Sequence, residues 1–179
     1  VDDDRARALA EGAWGLAPGA LAATPGLTVV EIIDAAHQRR VRGMLVQGEN
    51  PAMSDPDLTH AREALARLDH LVVIDIFLTE TAALADVVLP ATAWPEKTGS
   101  VTNTDRLVQL GRKAVAAPGE ARSDLWITRQ IGRRLGLDWP DDVDPHGGPD
   151  GVAAVYEEMR SLMPSLEGIA WSRLQAEGA

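Results

Sequence analysis

The sequence predicts an α/β domain built on a parallel sheet with helices on both faces, followed by a helical carboxyl-terminal tail. Three observations carry this expectation. The runs 43–47 (GMLVQ), 71–75 (LVVID) and 86–90 (DVVLP) are continuously apolar rather than alternating, the pattern of strands covered on both sides. Helix-forming segments lie between them, giving the order strand, helix, strand, short helix, strand. Parallel neighbours need right-handed crossovers, and those segments can supply them.

Each element has a local reason. Residues 2–14 (DDDRARALAEGAW) are rich in helix formers with acids in the first turn, and predict a short helix ending near Gly15. The Gly- and Pro-containing stretch after it reads as a loop. Thr28 and Glu31 have capping-box spacing, and Val29, Ile32, Ile33 and Ala36 form an apolar stripe, so a helix is expected over 28–40, with His37, Arg39 and Arg40 at its carboxyl end. The next helix is expected to be capped by Ser54, to carry Pro56 in its first turn, and to bury Leu58, Ala61, Leu65 and Leu68. After the second strand, TETAALA makes a helical turn, and Pro90 closes the third strand. The pattern then becomes irregular, with an extended segment near Arg106 to Leu110. Ser123 caps a helix to about Leu135, a loop follows, and two tail helices are expected over about 150–163 and 167–176.

The chain has 179 residues, 45% of them hydrophobic, enough for one sizeable core or a domain with an appendage. Its formal net charge of -10 opposes partnership with a nucleic-acid backbone or an anionic membrane surface, although backbone N–H groups can still hold a local phosphate. There are no cysteines, so this chain supplies no disulfide, thiolate nucleophile or Cys-ligated cluster. No apolar stretch approaches a membrane span and no leader pattern opens the chain, which predicts a cytoplasmic protein; the initial Val indicates a piece of a longer one. The four histidines are scattered without paired helical spacing, the acids at 141, 142 and 144 lack the Gly and Glu of a calcium loop, and no Gly-rich phosphate loop or nucleophile elbow is present.

In parallel sheets function gathers at the carboxyl ends of the strands. Three groups are expected there: Gly48 with Glu49, Asn50 and Pro51; Asp75 with Ile76 and Phe77; and the turn from Pro90 to Gly99. Gly48 permits close backbone approach, and Asn50 offers both donor and acceptor. The Asp75 carboxylate can accept two parallel hydrogen bonds, as a ribose diol or a guanine edge would supply; equally, it can satisfy loop amides or cap the turn at Thr79. Lys97 can meet a phosphate or pair with Glu96. Thr102, Asn103 and Thr104 can contact phosphate or simply form a polar turn, and Asp124 is either a second ligand carboxylate or an acid favoured by its place in the first turn of a helix.

Residues 44–127 resemble the molybdopterin oxidoreductase family, most closely the alpha (catalytic) subunits of formate dehydrogenases. The resemblance rests on GENP after a strand, DIFLTETA, ADVVLP, EKTG, TNTDR and PGEARSDLW in one order and spacing, and extends from about Trp14 to Trp171. It implies a Rossmann-like domain that binds molybdopterin guanine dinucleotide carrying molybdenum or tungsten. On this basis residues 1–138 form that α/β domain in part and 139–179 a helical extension. Asn50, Ile74, Asp75, Lys97 and Asp124 fall at positions implied to contact the cofactor, with guanine as the partner of Asp75, and Gly48, from its place at the strand end, joins them as an expected cofactor-binding residue.

The implied parent oxidises formate to carbon dioxide and passes electrons through iron-sulfur clusters to NAD or another acceptor. Its partners are the remainder of the alpha subunit and electron-transfer subunits. The family's Cys motif for an iron-sulfur cluster and its metal-proximal Cys or selenocysteine, His and Arg are not in this sequence, so the chain by itself is expected to be inactive. Asp105 stands where many relatives carry Glu. A nitrate reductase, an NADH dehydrogenase iron-sulfur subunit and a free-standing nucleotide-binding domain are the alternative readings.

Overall fold

The computed structural model describes residues 3–178. Its helices are α1 (Asp4–Ala13), α2 (Val29–His37), α3 (Pro51–Ser54), α4 (Leu58–Ala66), α5 (Asp124–Arg134), α6 (Val152–Leu162) and α7 (Trp171–Glu177), and its strands are β1 (Gly43–Gln47), β2 (His70–Asp75), β3 (Val87–Pro90), β4 (Gly99–Thr102) and β5 (Val108–Gly111). The chain forms two compact units, one of residues 27–97 with 113–148, the other of 1–26, 98–112 and 149–179. The units interleave along the chain, whereas the division expected after residue 138 is sequential.

The first unit holds a parallel sheet in the order β1-β2-β3. Gly43 pairs with His70 at one end, Gln47 with Ile74 at the other, and Asp75 with Pro90, so all three strands run the same way. Alternation along β2 sends Leu71 and Val73 to one face and Ile74 to the other. Leu71, Val73 and Val46 pack with Leu65 of α4, Ala52 of α3 and Ala82, while Ile74 and Leu89 pack with Trp126, Ile127 and Ile131 of α5. Helices therefore cover both faces, as expected. Burial is deepest along the central strand: Leu71, Val73 and Ile74 are at most 1% exposed, against 48% for Leu45 and 40% for Val87 on the flanking strands.

The capping box of α2 forms as read: Glu31 Oε2 accepts from the Thr28 N–H at 2.7 Å, and Thr28 Oγ1 from the Glu31 N–H. The helix expected from Ser54 differs. Ser54 ends the short α3, its hydroxyl donating to the Asn50 carbonyl, and α4 starts at Leu58 with the Asp57 carboxylate accepting from the His60 N–H at 3.1 Å. Pro56 is the cause: it forces Asp55 into extended backbone (φ -69, ψ 141), which cannot continue a helix.

In the second unit, β4 and β5 form an antiparallel hairpin. The sequence marks only the β5 half, because Gly99–Thr102 is polar and short. Val108, Tyr156, Leu166, Trp171 and Leu174 make this unit's core, and the Tyr156 hydroxyl donates to the Ile169 carbonyl at 2.8 Å.

Candidate functional site

β1 leaves the sheet at Gly48. Its N–H donates to the Ile74 carbonyl at 2.9 Å, and its φ of +65° suits a residue without Cβ. This turn delivers Asn50 to the loop after β2. There Asn50 Oδ1 accepts from the N–H of Thr81 (3.1 Å) and its hydroxyl (2.7 Å), while Nδ2 donates to the Glu80 carboxylate at 2.8 Å. The Asn50 amide, with the Glu80 N–H, holds the Glu80 carboxyl below its usual range. Asn50 thus clamps two strand exits together, leaving one amide N–H for other use. Glu80 and Thr81, inside the stretch TET, are residues that position-by-position reading of strand ends missed.

Ile74 is 1% exposed among Ala91 and Ile127, and its carbonyl is taken by Gly48. Its side chain anchors the end of β2 and so aims Asp75. Asp75 Oδ1 accepts from the backbone N–H of Ile76 at 2.7 Å and of Phe77 at 3.2 Å. The turn at 82–84 is served instead by the Thr79 hydroxyl, which accepts from the Ala82 N–H. Oδ2 has no hydrogen-bond partner among the described residues and keeps its acceptor capacity. The loop-amide reading of Asp75 is realised at Oδ1, and only Oδ2 is left for an outside donor, so two parallel bonds, one to each oxygen, are no longer on offer.

Beyond β3, Ala91 makes a parallel bridge to Arg122, and the Thr92 N–H donates to the Arg122 carbonyl at 3.1 Å. That contact brings the start of α5 beside the turn after Pro90. Lys97 Nζ forms an ion pair with Asp124 and donates to the Thr92 carbonyl at 2.8 Å. The expected alternative, pairing of Lys97 with Glu96, does not form, since Glu96 accepts from the Ala93 N–H at 2.8 Å. The Lys97 and Asp124 side chains stay 30% and 26% exposed, so the pair faces the edge without being sealed in. The Thr92 hydroxyl is buried without a hydrogen-bond partner among the described residues.

A loop sequence reading passed over buttresses this corner. Ser123 donates from its N–H to the Pro145 carbonyl (2.9 Å) and from Oγ to the Asp144 carbonyl (3.2 Å). Asp144 accepts from the N–H groups of His146 and Gly148, which hold its carboxyl below the ordinary range. Gly147, at φ +81°, packs where a Cβ would lie 2.9 Å from Lys97 Cα. The spacing of Asp144 to two following glycines was the available signal.

Other candidates lie apart from this edge in sequence or role. Thr102, Asn103 and Thr104 belong to the β4–β5 hairpin, where the Arg106 N–H donates to the Asn103 carbonyl. His37 and His60 come together between α2 and α4, ring centres 4.5 Å apart, each beside a carboxylate: Glu63 at 3.5 Å and Asp34 at 2.9 Å. Their separation in sequence concealed this pairing.

Parallel strand exits, an open carboxylate oxygen and a part-exposed ammonium–carboxylate pair stand at the carboxyl edge of the sheet, the edge at which open α/β sheets take their ligands. Comparison with known proteins gives the family. The model of the family described as molybdopterin oxidoreductase matches residues 5–134, and the chain belongs to that family. It is 46% identical over 153 residues to the F420-dependent formate dehydrogenase subunit alpha of Methanocaldococcus jannaschii, covering 86% of this chain and 22% of that protein. A putative formate dehydrogenase of Bacillus subtilis is 38% identical over 98% of this chain and 17% of its own length, and a nitrate reductase of Klebsiella oxytoca 40% identical over 89% and 20%. The chain thus spans about a fifth of the length of these relatives. The acetylene hydratase of Pelobacter acetylenicus shares the fold, with a TM-score of 0.64 at 22% identity over 97% of this chain and 23% of that one.

Proposed function

We propose that this chain is the part of a formate dehydrogenase alpha subunit that holds molybdopterin guanine dinucleotide. The carrying observation is Asp75: a carboxylate at the exit of the central parallel strand, fixed through Oδ1 by its own loop and open at Oδ2. A guanine base supplies N1–H and amino donors of the kind Oδ2 lacks. The donor set fits the group elsewhere too. The spare N–H of Asn50 and the Lys97 ammonium suit oxygen atoms of the dinucleotide, and the space beside Gly48 is open, a Cβ there meeting nothing within 4 Å. Asp124 holds Lys97 through their ion pair, and Ile74 anchors Asp75.

When bound, the cofactor supplies two-electron redox chemistry at its molybdenum or tungsten atom; this chain's residues bind and orient it. In the parent, formate becomes carbon dioxide, releasing a proton and two electrons that leave through iron-sulfur clusters in other segments or subunits to NAD or another acceptor. The parent is cytoplasmic and works with electron-transfer subunits, and this chain alone does not oxidise formate. The formate reading rests on the 46% and 38% identities to proteins so named. The 40% identity to a nitrate reductase supports nitrate reduction as the second reading.

Asp75→Asn in the full-length parent tests the site. An amide can turn its oxygen toward the Ile76 and Phe77 N–H groups, so the loop is kept, but a donor then faces the base edge. Guanine nucleotide and metal released per subunit are expected to fall at least about tenfold, given roughly 1.5–3 kcal/mol for a hydrogen bond to a charged group. Unchanged cofactor content would overturn the assignment. Assaying the parent with formate and with nitrate separates the two readings of substrate.

A further inference from the structure

We propose that Phe77 is the stacking platform for the purine base whose edge Asp75 accepts; this rests on the reading of Asp75 given above. The chain has five Trp, one Tyr and one Phe. Most of these rings have work in the fold. Trp126, Tyr156 and Trp171 pack into cores, Trp139 lies against Gly132, and Trp14 donates to Glu158 at 2.9 Å. Two rings stand far out, Phe77 at 71% and Trp94 at 74% exposure, and both follow strands of the parallel sheet at the carboxyl edge.

Phe77 is the one tied to the carboxylate. Its N–H donates to Asp75 Oδ1 at 3.2 Å and its carbonyl accepts from the Thr79 N–H at 3.0 Å, so the backbone is held on both sides while most of the residue stays exposed. Leaving a phenyl ring in water forgoes the favourable transfer that burial would give. A planar ligand hydrogen-bonded edge-on to Oδ2 would offer its face within reach of a side chain two residues along. Trp94 lies four residues past Pro90, the β3 partner of Asp75, and has no such link.

The neighbouring oxygen selects the occupant. A purely apolar surface laid over Phe77 would also cover Asp75 Oδ2 and strip it of water without supplying a donor, which is unfavourable for a charged acceptor. A guanine base covers the ring with its π face and satisfies the oxygen with its N–H edge, and stacking of a base on an aromatic side chain is a recurrent, strong contact.

Because Phe77 is the chain's single phenylalanine, labelling that residue type gives one ring to observe by NMR. On titration of the 179-residue chain with GMP, the ring signals are expected to shift and to show nuclear Overhauser contacts with guanine H8. Phe77→Ala should weaken GMP binding about 5- to 150-fold, Phe77→Leu should weaken it in the same direction, and Phe77→Trp should retain it. Asp75→Asn should erase the preference for GMP over AMP. GMP binding that Asp75→Asn removes but Phe77→Ala leaves intact, or contacts to Trp94 in place of Phe77, would overturn the stacking role and leave the Asp75 reading standing. No binding of GMP, or binding indifferent to both substitutions, would overturn both.

Discussion

Asp75 and Asn50 differ in how much of their bonding capacity the fold consumes. Asp75 spends one oxygen on its own loop, whereas Asn50 spends its carbonyl and one N–H on the loop after β2. Mutation should separate them. Asp75→Asn keeps the loop acceptor and is expected to shift the urea midpoint of this chain little. Asn50→Ala strands the Thr81 N–H, on a residue with 0% exposure, and is expected to cost about 1–3 kcal/mol in urea unfolding. Asp75, Asn50 and Lys97 were legible as candidates because a strand end followed by a polar residue can be seen in one dimension. The sharing of Asn50 with Thr81, 31 positions away, and of Lys97 with Asp124, 27 positions away, was not, because only the crossovers bring those segments together.

At the scale of elements, α5 shows what capping and packing contribute. Ser123 Oγ accepts from the Trp126 N–H at 3.3 Å and donates to the Asp144 carbonyl, so Ser123→Ala removes a cap and a loop tie together. A loss of about 1–2 kcal/mol in chemical denaturation is expected. Gly132→Ala sets two effects against each other. Alanine in a helix interior gains about 1 kcal/mol over glycine, but its Cβ would lie 2.5 Å from Trp139 Cε3, and overpacking of this kind costs about 1–3 kcal/mol. The net expectation is a lower melting temperature with altered tryptophan fluorescence; a higher one would show that the ring moves aside freely. Caps such as Thr28 and Ser123 could be read directly, since they act over three residues. The break at Asp55 and the β4 strand could not: one turned on a proline read as a helix starter, the other on a partner strand that supplies pairing its own composition does not demand.

For the whole molecule, acid is the informative perturbation. Glu11 (bonded by the N–H groups of Leu21 and Gly19), Glu31 (by Thr28), Asp69 (by Arg42), Asp144 (by His146 and Gly148) and Glu157 (by the Trp171 N–H and Arg160) all have carboxyls held below their ordinary values. A carboxyl depressed in the folded state contributes stability that is present above its unfolded value, about 4.5 for Glu and 3.8 for Asp, and lost as pH falls through the lower folded value. Urea midpoints should therefore stay level from neutrality to just above those values and fall below them, and Asp144→Asn should make the acid decline shallower. These carboxylates belong to both compact units, so the acid response is a property of the chain and not of the strand-exit edge alone.

The sequence by itself determined the three strands, their common direction, most helix starts, and which residues stand at strand exits, because apolar runs, caps and prolines act locally and the crossover rule leaves few topologies. Only the tertiary structure decided how those residues are used: which Asp75 oxygen is spent, that Lys97 is bound to Asp124, that Asn50 is a clamp, and that residues 113–148 complete the unit containing the sheet. Those outcomes depend on hydrogen bonds between segments distant along the chain, whose geometry exists only after the crossovers have closed.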